Sequence, residues 1–103
     1  MTDPAVVPDK IIAVSEMRTL IHEITRSLVD DADAVKIEAL PDHDSTILRL
    51  HVAPGDIGKV IGKQGRTARS LRTILGAASM KLHHRFSLDI VEAGRSNHER
   101  DTY

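Results

Sequence analysis

Residues Gly62-Lys63-Gln64-Gly65 stand between an apolar pair, Val60-Ile61, and a run with helical periodicity, and they dictate how the chain around them can turn. Glycine lacks a Cβ and accepts positive φ, so this pair allows a sharp reversal and lets a ligand approach the backbone amides. Upstream, Asp56 is placed to cap a short helix, Ile57 to Ile61, whose length Gly62 limits. Downstream, from Arg66 or Thr67, the residues Ala68, Leu71, Ile74, Leu75, Ala78 and Leu82 fall on one apolar stripe. Arg66, Arg69 and Arg72 lie away from its centre. Gly76 inside this helix costs up to ~1 kcal/mol against alanine, and predicts either close backbone approach or a partner that needs it.

Taken alone, a Gly-x-x-Gly step reads as an ordinary turn between helices. Its charge setting says more. From Ile57 to Leu88 there is no Asp or Glu, although the chain has 15 of them. The same stretch holds Lys59, Lys63, Arg66, Arg69, Arg72, Lys81 and Arg85, so a net charge of −1 conceals a polarised molecule. No acid interleaves with Arg66, Arg69 and Arg72 to make the i,i+4 pairs of a merely solvated helix. A helix starting at Gly65-Arg66 presents free N–H groups and the positive end of its dipole to an anion. Lys63 supplies a mobile charge within the loop, Lys59 and Arg66 flank it, and Val60 and Ile61 offer an apolar wall for bases.

The remaining pattern is that of a small α+β domain. Ser15-Glu16 reads as a helix start, followed by Met17, Leu20, Ile21, Ile24 and Leu28 at three- and four-residue spacing, ending near Asp30-Asp31. Val35, Ile37 and Ala39 alternate with polar residues as a half-buried strand, and Pro41 to Asp44 is turn chemistry. Leu48, Leu50 and Val52 form one face of a second strand, with Ile47, Arg49 and His51 on the other. Phe86, Leu88 and Ile90 mark a third. The order α-β-β-α-α-β predicts a three-stranded sheet with helices packed on one face. Residues 1–14 read as a flexible arm, 15–92 as the domain and 93–103 as a tail.

Composition removes several function classes. At 103 residues, one core is all the chain can stabilise. There is no cysteine for a disulfide or thiolate site, no signal-peptide pattern, and no apolar run near the ~20 residues of a membrane helix. A cytoplasmic protein without membrane contact is expected. Phe86 and Tyr103 are the only aromatics, too few for a base-stacking platform. Gly58 and Gly62 have three residues between them and Gln64 follows Lys63, so neither a P-loop nor a dinucleotide fingerprint fits. The six histidines lack a ligand pattern, and no nucleophile–base pair stands out, so neither metal, cofactor nor enzymatic activity is expected.

The run from Val52 through Val60-Ile61-Gly62-Lys63-Gln64-Gly65-Arg66, with Leu71-Arg72-Thr73 after it and Ser27-Leu28-Val29-Asp30 before it, resembles the KH domain. The element order is similar to its type II arrangement, and the fuller match is to the small bacterial single-KH family KhpA. That resemblance covers about residues 17 to 92. It implies a non-catalytic protein gripping about four nucleotides of single-stranded RNA, and a role as RNA chaperone or post-transcriptional regulator. It further implies a KhpB-type KH protein as partner, the option of a homodimer, and a link to cell-wall synthesis and elongation. The RNA-binding residues it marks are Lys59, Val60, Ile61, Gly62, Lys63, Gln64, Gly65, Arg66 and Arg69. A protein–protein adaptor that keeps the fold without touching RNA remains the alternative.

Overall fold

The computed structural model describes residues 9–92 and 95–96. Helix α1 (Asp9–Leu28) is followed by strands β1 (Lys36–Asp42) and β2 (Ser45–His51). Helix α2 (Ile57–Ile61), the glycine loop and helix α3 (Arg66–Leu82) come next, then strands β3 (Arg85–Glu92) and β4 (Arg95–Ser96). The sheet order is β1-β2-β3-β4. β1 and β2 form an antiparallel hairpin, with Ile37 opposite Leu50 and Ala39 opposite Leu48. β2 and β3 run parallel, Leu48 beside Leu88 and Leu50 beside Ile90. The α2–loop–α3 segment is therefore the crossover that parallel neighbours require.

The alternation read from the sequence sets the layers. Ile37, Leu48, Leu50, Phe86, Leu88 and Ile90 point to one face and are buried. They pack with Ala13, Met17 and Ile21 of α1, Val60 of α2, and Ala68, Leu71 and Leu75 of α3 in a single core. The opposite face carries polar pairs: His51 Nε2 lies 2.6 Å from Glu38 Oε1, and Arg49 Nε donates to Asp89 Oδ2 at 3.2 Å. Asp89 is buried despite facing away from the helices.

Several expectations need correction. α1 begins at Asp9, so Ser15 lies within the helix instead of capping it, and Ala13 joins the core. Ala13 and Met17, four residues apart and both buried, carry the apolar stripe upstream of Ser15 despite the β-branched Ile11, Ile12 and Val14. A proline ahead of the first turn removes no intrahelical N–H bond. Residues 1–8 of the expected arm lie outside the described residues. So does the expected tail, except for Arg95 and Ser96, which pair with Glu92 and Val91. The stripes are also narrower than read: Leu20, Leu28 and Ile74 are exposed, while Thr25 is fully buried. Asp56 does not cap α2. Its carboxylate accepts the backbone N–H of Asp30 at 3.2 Å and of Asp31 at 3.0 Å, tying the end of α1 to the start of α2.

Candidate nucleic-acid interface

Between α2 and α3 the backbone takes a path open to few residues. Gly62 has φ 80° and ψ 169°, Gln64 φ 58° and ψ 25°, and Gly65 φ 73° and ψ 14°. Gly62 donates to Gly58 O at 2.8 Å, ending α2, and Gly65 donates to Gly62 O at 3.0 Å, closing the loop. The two glycines meet different demands. A Cβ on Gly62 would run into the Thr67 side chain and come within 2.8 Å of the Thr67 nitrogen. At Gly65 the space is open, and only the left-handed backbone asks for glycine. Open space beside a positive-φ glycine is what lets a ligand reach the chain closely.

Around this loop the structure gathers most of the residues singled out in the sequence. Lys63 and Gln64 sit exposed at its tip, and Arg66 and Arg69, also exposed, lie in the first turns of α3. Among the described residues, the side chains of Lys63, Arg66 and Arg69 have neither an ion pair nor a hydrogen bond. The N-cap of α3 is Gly65, and among the described residues no side chain caps this helix start. Three unneutralised cations thus surround a helix N-terminus whose dipole favours an anion. Ile61 is half-buried at the edge of the core.

Two residues are placed otherwise than expected. Val60 is completely buried among core residues and has no surface to offer a base. On a five-residue helix packed against α3 and α1, one apolar residue must face inward, and Val60 is that one. Lys59 is already engaged: its Nζ lies 3.4 Å from Asp30 Oδ2 and 3.5 Å from Asp56 Oδ1. The Asp30 contact, then that of Asp56, raises the Lys59 pKa above its ordinary value. The amide of Asp31 chiefly, helped by that of Asp30 and by Lys59, holds Asp56 below the usual carboxylate range. Pattern reading missed Asp56 as the residue that frames the loop, because its partners are 25 and 26 positions away.

Arg72 is half-buried and donates to Leu88 O at 3.2 Å, bracing α3 against β3. The histidines lie elsewhere. His83 ends α3 in a left-handed conformation, and His84 makes a 2.7 Å contact with Thr46 Oγ1 and an edge-on contact with Phe86. A cleft of about 620 Å³ beside them is lined by Asp42, His43, Met80, His83 and Arg85. Among the described residues no group of His, Asp or Glu has the makings of a metal site, and no helix is long and apolar enough to cross a membrane.

One helix and two strands before a Gly-x-x-Gly loop, with the second loop helix leading into a parallel strand, define a type II KH domain. The family model for the KhpA/KhpB KH domain matches residues 18–90. RNA-binding protein KhpA of Borreliella burgdorferi is 47% identical over 73 residues, covering 71% of this chain and 89% of that protein. RNA-binding protein KhpA of Caldanaerobacter subterraneus is 45% identical over 75 residues, 73% of this chain and all of that protein. That of Aquifex aeolicus is 39% identical over 79 residues, again spanning that whole protein. The chain belongs to the KhpA/KhpB KH-domain family. The first nine residues of α1, Asp9 to Met17, precede the matched region.

Proposed function

We propose that this protein binds single-stranded RNA through the Gly62–Gly65 loop and has no catalytic role. The observation that carries the reading is the start of α3 beside exposed Lys63, Arg66 and Arg69, none of which has an ion-pair or hydrogen-bond partner among the described residues. Backbone phosphates meet Lys63, Gln64 and the loop amides, Gly62 and Gly65 keep the approach clear, and Arg66 and Arg69 add attraction. Bases lie against Ile61, with Val60 supporting that surface from below. Lys59 joins the interface only by leaving its carboxylate partners. Such contacts are to the backbone, so selectivity for sequence is low and binding weakens steeply with salt. The relatives' name, RNA-binding protein, supports the same reading.

A single module of this size offers few phosphate contacts, and a second site on the same RNA multiplies its affinity. A KhpB-type KH partner or a second copy of the chain would supply it. On family resemblance alone, the role extends to that of a cytoplasmic RNA chaperone or post-transcriptional regulator connected with cell elongation and cell-wall synthesis.

Ultraviolet crosslinking in cells, followed by recovery of the protein, tests the assignment. RNA should be recovered with the wild type and lost with Lys63→Asp/Gln64→Asp. A stable protein complex without any crosslinked RNA would favour the adaptor reading instead.

A further inference from the structure

The two carboxylates at Lys59 differ in standing. Both oxygens of Asp56 are committed to backbone amides, and its side chain is only 5% exposed. It is part of the frame. The Asp30 side chain is 85% exposed and has Lys59 as its one partner among the described residues. Exposed pairs of this kind contribute little and exchange readily. Lys59 itself is 43% exposed and sits three residues before Gly62, at the end of α2 that feeds the loop. Its long flexible stem lets the ammonium swing between acceptors. Lys63, Arg66 and Arg69 have no carboxylate partner among the described residues, so Lys59 alone of these four cations is held by an acid supplied from another element.

We infer that Asp30 is an internal rival of RNA phosphate for Lys59, an anion held in reserve by the protein that keeps its affinity for RNA down. This rests on the loop reading above. An arriving phosphate must displace a tethered carboxylate, which a mobile counterion would not require. Without Asp30, Lys59 keeps only its 3.5 Å contact with Asp56, whose oxygens are already engaged by backbone amides. It then turns more readily to the ligand, while Asp56 continues to hold the end of α1. The backbone N–H of residue 30 still donates to Asp56 in an Asp30→Asn protein, so the frame is kept.

Anisotropy titrations of a labelled oligouridylate across a salt series test this, using wild type, Asp30→Asn, Asp33→Asn, Lys59→Gln and Asp30→Asn/Lys59→Gln. Asp33 lies on the same segment, with no side-chain partner among the described residues, and controls for bulk charge. Asp30→Asn should bind about two- to five-fold tighter at low salt, with a salt slope steeper by up to about 0.7, one more single-strand phosphate contact. Asp33→Asn should stay near wild type, and Asp30→Asn should gain nothing in the Lys59→Gln background. Equal affinity for Asp30→Asn and wild type, an equal gain with Asp33→Asn, or a gain that survives loss of Lys59 would each overturn the inference. Lys63→Asp/Gln64→Asp separates the two claims. Binding that survives it defeats the loop reading and this inference together, whereas binding lost there with no Asp30 effect defeats the rivalry alone.

Discussion

Thr67 occupies the space that any side chain at Gly62 would need, and the Gly62 backbone, at φ 80° and ψ 169°, is itself of a kind that only glycine adopts with ease. The loop is therefore specified twice at its first glycine and once at its second. Gly62→Ala should cost about 1–3 kcal/mol from backbone strain, with the clash in addition. Gly65→Ala, in open space with left-handed backbone, should cost about 1–2 kcal/mol. Urea unfolding of both variants checks the order. A Gly65 variant less stable than the Gly62 variant would contradict this account of the loop.

Gly76 presents the opposite case. It lies exposed within α3 and a Cβ there would meet nothing within 4 Å. Close packing inside the protein does not explain it, so Gly76→Ala should stabilise the domain by about 0.5–1 kcal/mol. Thermal unfolding measures that gain. A loss of RNA affinity in the same variant would mark position 76 as a place where a ligand comes close.

The acid side of the stability profile should depend on Asp56. Its pKa in the folded protein is lower than the ordinary value of 3.8, chiefly because the Asp31 amide binds the carboxylate. The folded state therefore prefers the charged form. Its stabilisation is complete above about 3.8 and disappears as pH falls through the lower folded value. Asp56→Asn should be destabilised at neutral pH, with the gap to wild type narrowing in that acid window. Melting temperatures measured from neutral pH downward would show it, and a gap that widens in acid would have the wrong sign.

Asp89 is buried on the face of the sheet away from the helices, beside Arg49. Asp89→Ala should cost about 1–3 kcal/mol, since it empties a buried position and removes the acceptor of Arg49 Nε. Arg49→Ala should cost at least as much as Asp89→Ala, because it strips a buried carboxylate of a cation, whereas Arg49 without Asp89 can turn to solvent. Denaturant titrations of the two variants give the ranking directly.

Much of this architecture was legible in the sequence because it follows from short-range periodicity. The alternation at Leu48, Leu50, Phe86, Leu88 and Ile90 marks the sheet's inner face, and Gly62 and Gly65 mark the loop. What escaped depends on distant residues. The role of Asp56 is set by the end of α1, some 25 positions earlier, and a helix cap was the only use that local pattern offered. Val60 and Ile61 look equivalent as a pair, yet helix rotation buries the first and leaves the second half-exposed. Lys59 reads as a free cation until folding brings Asp30 beside it. Of the candidate interface, charge and loop were visible from the sequence, and the ion pairing of Lys59 was not.

The central claim is that the loop between α2 and α3 grips RNA. Its most direct test is the affinity of purified Lys63→Asp/Gln64→Asp for single-stranded RNA at low salt, with circular dichroism confirming the fold. Both residues are exposed and outside the core, so the variant should fold as wild type does. The wild type should bind with an affinity that falls as salt rises, and the folded variant should lose binding. A folded variant that binds RNA as tightly as the wild type would contradict that claim.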